Sequence, residues 1–152
     1  MTRTSTTPRS APGNPKYFVD TNILIYAHDR DAGPKHERAR QLIEHLWTTG
    51  QGALSTQVLQ ELCVNLRRRV VHPLSSDEIA QLIEDYLSWE IVINNPQAII
   101  AALGIEARYK VSYWDALILQ AAETCGAAVL YSEDLSHGQH YGAVEVVNPL
   151  GR

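Results

Sequence analysis

Residues 17–26 read Tyr-Phe-Val-Asp-Thr-Asn-Ile-Leu-Ile-Tyr: a short apolar run, an Asp-Thr-Asn turn and a second apolar run. The first run predicts a buried strand over Tyr17–Asp20. Asp-Thr-Asn is a turn and N-cap sequence, and it predicts a brief helix through Ile23–Ala27. A strand that ends on a carboxylate just before a helix N-terminus is the opening of an alternating α/β fold. In such sheets ligands sit at the C-terminal edge of the strands.

Working outward, the same alternation repeats. Pro34 suits the first turn of a helix that runs to about Thr48, with Ala39, Leu42, Ile43, Leu46 and Trp47 along one face. Gly50 and Gly52 bracket a turn into a strand at Ala53–Ser55. A helix over Thr56–Val71 carries Leu59, Leu62, Leu66 and Val70 at helical spacing, and Pro73 stops it. Ser75 and Glu78 form the pattern of a capping box. Ile91–Ile93 reads as a third strand. Asn95-Pro96 opens a helix to about Tyr109, and Ser112 opens another that Gly126 ends. Ala128–Tyr131 and Val144–Val147 complete the set. The expected fold is α/β: one domain, a parallel β-sheet of about four to five strands, helices on both faces. The strand order is not readable from the sequence.

The chain has 152 residues, 45% of them apolar, which is ordinary for one globular domain. No apolar run approaches the ~18 residues of a membrane span. Residues 1–15 are polar and rich in Ser, Thr and Pro, without the apolar stretch of a secretory signal. They read as a disordered tail ahead of a domain over 16–152. Cys63 and Cys125 lie among apolar residues and read as reduced core positions, which gives a cytoplasmic expectation. The formal net charge of −4 argues against bulk polyanion binding, so a nucleic-acid partner would need a local patch or a metal.

Four carboxylates fall at or just beyond strand ends: Asp20, Glu61, Asp115 and Asp134. If they meet, their repulsion is severe, roughly 4 kcal/mol for a pair ~4 Å apart at an effective dielectric of ~20. Such a cluster needs protons or a divalent cation, and hard oxygen ligands suit Mg²⁺ or Mn²⁺. The pattern points to metal-dependent phosphodiester chemistry. Each acid also has an ordinary reading. Asp20 can cap the following helix, Glu61 can be a helical surface residue, and Asp115 completes a Ser112-x-x-Asp115 box. Asp134 competes with Glu133 as the turn acid that faces the sheet edge. Asn22 and Ser132 stand beside these acids as polar support. Arg67, Arg68 and Arg69 form the basic run, either a solvated helix end or a weak phosphate-binding patch. His137 and His140 have metal-like spacing but no third soft ligand nearby.

The stretches YFVDTNILIY, STQVLQEL, SYWDALILQAA and VLYSEDLSHGQHYGAVEVVNPL together resemble a PIN domain. The likeness is specifically to the small stand-alone VapC-type ribonuclease toxins of prokaryotic toxin–antitoxin pairs, and it covers nearly the whole chain from Tyr17 on. The resemblance implies a Rossmann-like parallel sheet, a Mg²⁺ or Mn²⁺ site and endoribonuclease activity on RNA. Asp20, Glu61, Asp115 and Asp134 match the family's acidic quartet, with Asn22 and Ser132 in the supporting positions. A cognate antitoxin protein and a homodimer are further implications. The competing expectations are a PIN-like RNA-processing or RNA-binding module that is not a toxin, and a Mg²⁺-dependent phosphatase. The phosphatase would want a second Asp at position 22, where this chain has Asn.

Overall fold

The computed structural model describes residues 15–151, so the tail expected over 1–15 lies, apart from Pro15, outside the described residues. The elements are β1 (Lys16–Val19), α1 (Thr21–His28), α2 (Pro34–Thr49), β2 (Gly52–Ser55), α3 (Thr56–Arg68), α4 (Ser76–Tyr86), β3 (Glu90–Val92), α5 (Pro96–Tyr109), α6 (Tyr113–Thr124), β4 (Ala127–Tyr131), β5 (His140–Tyr141) and β6 (Val144–Val147).

The sheet order is β3-β2-β1-β4-β6-β5. β1, β2, β3, β4 and β6 pair in parallel, and β5 runs antiparallel to β6. From β1 the chain steps outward to β2 and β3, then crosses back over to β4 on the other side of β1. Right-handed crossovers that travel in opposite directions place their helices on opposite faces. The packing agrees: α1 contacts α2 and α3, α3 contacts α4, and α5 pairs with α6. Phe18, Val19, Leu54, Leu130 and Val146 form the sheet's share of the core, all fully buried.

The local signals act as chemistry requires. Ser75 and Glu78 exchange both bonds of a capping box. Asn95 and Ser112 each accept a backbone N–H from the first turn of their helices. Gly50 ends α2 at φ 69°, a left-handed conformation that suits glycine. Gly52 is needed for space instead, since a Cβ there would lie 2.4 Å from the Trp89 ring.

Three expectations need correction. The sheet has six strands where four to five were expected, and one is antiparallel. The missing strand, His140–Tyr141, is too short to show alternation and is flanked by polar residues and glycine. It forms a two-residue hairpin with β6 through Gly142, whose φ of 59° such a loop demands. The helix after β2 ends at Arg68 instead of Val71, because the chain folds back so that Leu74 N–H bonds the Leu66 carbonyl. Cys125 caps α6 instead of lying within it. Both cysteines are unpaired. No described helix is long and apolar enough to cross a membrane.

Candidate active site

β1 and β4 are neighbours at the point where the strand order reverses, the position at which parallel sheets open a crevice beyond their C-terminal ends. Asp20 follows β1 there, and Ser132 follows β4. Asp20 is 5% exposed. Its Oδ1 accepts the Thr21 N–H at 2.7 Å, which makes it the N-cap of α1, and its Oδ2 accepts the Ser132 hydroxyl at 2.8 Å. The capping reading and the site reading of Asp20 are therefore compatible, since its two oxygens divide the work.

Ser132 is fully buried and organises the turn that carries Asp134. Its Oγ accepts backbone N–H groups from Asp134 and Leu135 while donating to Asp20. Asn22, one helical position beyond Thr21, donates from Nδ2 to Asp134 Oδ2 at 2.9 Å. Glu133 is drawn elsewhere: it accepts the Tyr26 hydroxyl at 2.7 Å and the Lys35 ammonium at 2.5 Å. Burial pushes its carboxyl upward, but the bonds from Lys35 and Tyr26 overcome this and hold it below its ordinary range.

Glu61 sits in α3, half-buried, and its Oε1 accepts the Thr21 hydroxyl at 2.5 Å. Gln57, one turn earlier, donates to Glu61 Oε2 at 3.3 Å, while its own Oε1 is buried without a hydrogen-bond partner. Asp115 lies in the first turn of α6, where its backbone N–H donates to Ser112 Oγ at 3.1 Å. Among the described residues the reciprocal side-chain bond that completes the Ser75–Glu78 box has no counterpart at Ser112 and Asp115, so the Asp115 carboxylate is not consumed by capping.

The four acids are electrostatic neighbours. The Asp20 carboxyl is raised to about 7, chiefly by burial; the bonds from Ser132 and Thr21 oppose this, and the charges of Asp134 and Asp115 add to it. The Asp134 carboxyl is also raised, first by burial, then by Asp115, Glu133 and Glu61. Among the described residues no Lys, Arg or His forms an ion pair with any of the four. They converge as charges without being drawn into a ready coordination shell. No described group of three His, Cys, Asp or Glu side chains is close enough to hold a metal ion as it stands.

The other candidates lie apart. Arg67, Arg68 and Arg69 are exposed at the C-terminal end of α3 and bond none of the acids. His137 accepts the Asn148 N–H, and His140 belongs to the edge strand β5. Two residues that the sequence did not single out hold the site together: Thr21, which ties Asp20 to Glu61, and Gln57. Thr21 lies within Asp-Thr-Asn, but a bond from it to a residue forty positions away has no sequence signal.

The family model described as PIN domain matches residues 17–141. No curated protein matches the chain by sequence. Among solved structures, a toxin-antitoxin complex from Klebsiella pneumoniae aligns with a TM-score of 0.66 and 20% identity over 88% of this chain and 98% of that one. The Mycobacterium tuberculosis VapC20, a sarcin-ricin loop cleaving toxin, gives 0.61 and 20% over 78% and 90%. DNA-bound VapBC from Salmonella typhimurium gives 0.60 and 20% over 87% and 96%. At these identities the likeness establishes a shared fold.

Proposed function

This chain belongs to the PIN domain family, and from that premise we propose that it is a divalent-metal-dependent endoribonuclease, the toxin of a type II toxin–antitoxin pair. What supports the reading is that Asp20 and Asp134 follow β1 and β4 at the sheet's switch point, that the charge of Asp115 acts on both and that of Glu61 on Asp134, and that no basic side chain among the described residues neutralises any of the four.

The chemistry of the donors, though not their present spacing, suits a hard cation such as Mg²⁺ or Mn²⁺: all oxygen, formally tetra-anionic, with one oxygen of Asp134 and the whole Asp115 carboxylate free of hydrogen-bond donors among the described residues. Asp20, Asp115, Asp134 and Glu61 are the residues that would hold it. The chemistry such an ion supplies when bound is neutralisation of charge on the scissile phosphate and a water of lowered pKa.

The chain's own groups do the positioning. Ser132 fixes Asp20 and the turn of Asp134 together, Asn22 restrains Asp134, and Thr21 holds Glu61 against the N-terminus of α1. Attack in line with the leaving 3′ oxygen of RNA gives 5′-phosphate and 3′-hydroxyl ends. A cognate antitoxin protein that covers this pocket, and a homodimer, belong to the same proposal; both are suggested by relatives described as toxin-antitoxin complexes.

The test is incubation of the purified protein with total RNA, with and without Mn²⁺, followed by end mapping. Metal-dependent cleavage is expected, and it should be abolished in Asp20→Asn and in Asp115→Asn. Equal turnover in either folded variant would remove that residue from the mechanism. Metal-independent cleavage would remove the metal.

A further inference from the structure

A concavity lies between the C-terminal half of α5, the C-terminal half of α6 and the edge strand β5. It has a volume of about 250 Å³ and is lined by Gly104, Arg108, Tyr109, Glu123, Tyr141 and Gly142, among others. Asp115, Leu119 and Glu123 are spaced i, i+4, i+8 along α6, so they share one helix face. Leu119 and Glu123 line this cavity, and Asp115 is one of the four acids of the proposed site. At 1.5 Å rise per residue the span from Asp115 to Glu123 is ~12 Å. The Asp115 charge is also among the influences that raise the Tyr141 hydroxyl, after burial.

Aliphatic walls from Ala101, Ile105 and Leu119 and two tyrosine rings offer a surface to a flat ring, with Arg108 and Glu123 as its charged groups. Tyr109 and Tyr141 stand with ring centroids 5.0 Å apart and planes at 73°, making an aromatic corner. The Arg108 guanidinium lies 5.1 Å from the Tyr109 ring centroid. Arg108 and Glu123 face one cavity with opposite charges, and among the described residues neither forms an ion pair with the other or with any third group. Both side chains are exposed, and a ligand that offers acceptors to one and donors to the other can engage both. Gly104 and Gly142 keep the rim free of side chains, and the Glu123 carboxylate lies so close to Gly142 that a Cβ there would meet Oε2 at 3.0 Å.

We propose that this cavity is a nucleobase subsite selective for guanine in the RNA strand that would reach the four acids. Guanine presents a pair of acceptors, O6 and N7, to an arginine fork, and a pair of donors, N1–H and N2–H, to a carboxylate. Adenine offers no matching donor pair, and cytosine offers Glu123 a single amino group. Aromatic walls add sequence-tolerant stacking, the usual way a protein holds an unpaired base. The subsite rests on the ribonuclease reading for its place on an RNA strand, but not for its chemistry.

The experiment is a metal-free titration of the full chain with each of the four nucleoside 5′-monophosphates, followed by the amide NMR signals of Gly104 and Gly142. Guanosine monophosphate should shift both signals and bind about tenfold or more tightly than the other three. Glu123→Gln should erase that preference, and Glu123→Asp should restore part of it. In end mapping, the wild-type cuts should carry guanine at one fixed offset, and the Glu123→Gln cuts should lose it. Equal shifts for all four nucleotides, shifts confined to other residues, or a preference unchanged in Glu123→Gln would each overturn the subsite. Guanine-selective binding by a protein that leaves RNA intact would sink the ribonuclease reading and keep the base site. Cleavage with no guanine preference and silent glycine signals would do the reverse.

Discussion

Asp20 is held in two states at once by its surroundings. Burial and the charges of Asp134 and Asp115 favour its neutral form, while the Ser132 hydroxyl and the Thr21 N–H favour the anion, and burial wins. Its folded pKa of about 7 lies above the ordinary 3.8, so between these values the folded state binds more protons than the unfolded one. Stability therefore falls as pH rises through that window, and the cost is fully present above about pH 7. At 1.36 kcal/mol per pKa unit the cost reaches at most about 4 kcal/mol. His28 acts in the opposite direction: burial, then His36, lower it from 6.5 to about 4, so its contribution is present above 6.5 and lost as pH falls toward 4. The two must be separated by difference. The melting temperature of metal-free Asp20→Asn minus that of the wild type should be near zero at pH 4, rise through the window up to about pH 7 and level off by pH 8. A flat difference would mean that Asp20 is not strained. Thr21 offers a complementary test. Its hydroxyl is the only described donor to Glu61 Oε1, and Thr21→Val keeps the shape and the capping N–H. Loss of a residue that orients a ligand costs ~10–100-fold in metal affinity or activity. Thr21→Val should show that loss with an unchanged fold, and full retention of both would mean that Glu61 needs no orienting bond.

The serine caps show at the level of elements which features the sequence made legible. Ser75, Asn95 and Ser112 announced α4, α5 and α6 because a cap acts within one turn and its partners are adjacent in the chain. The strands β1, β2, β3, β4 and β6 were legible as apolar runs between glycine, proline and capping residues. Strand β5 was not, because two residues carry no period and its pairing depends on a hairpin set by Gly142. Caps also allow stability to be separated from activity. Ser112→Ala and Ser75→Ala should each cost about 1 kcal/mol in denaturant unfolding. Ser112 caps the turn that carries Asp115, whereas Ser75 caps a helix that supplies none of the four acids. Cleavage by Ser112→Ala should therefore fall well beyond its stability loss, while Ser75→Ala cleaves normally under conditions where both are folded. Equal activities would show that Asp115 is placed by packing of α6 alone.

Across the whole molecule, the proposed site depends on the chain reversing direction in the sheet. Strand order 3-2-1-4 brings residues 20 and 132 side by side, and after the crossover that follows β3 the charge of Asp115 acts on Asp20 and Asp134. Asp20 and Asp134 could be read from the sequence as acids beyond strand ends, since each follows its own apolar run. The same expectation fails for Glu61, which lies inside α3, and for Asp115, which opens α6 after another helix. Their convergence could not be read, because it depends on which strands are neighbours, and the bonds from Thr21 to Glu61 and from Asn22 to Asp134 span 40 and 112 residues. Carboxylates that act on one another without a basic partner are a strain that a bound cation would relieve, and that relief has a global readout. A divalent cation that binds only the folded state stabilises it by RT ln(1 + [L]/Kd), about 2.7 kcal/mol at a concentration of 100 Kd. For a domain of this size that is a rise of roughly 5–10 °C in melting temperature. Mn²⁺ should produce that rise in the wild type at pH 8, where Asp20 is charged, and a smaller one at pH 6, where it is largely protonated. In Asp20→Asn the rise should collapse at both values. An identical Mn²⁺ shift in that variant would place the ion elsewhere on the protein and leave the four carboxylates to be neutralised by protons alone.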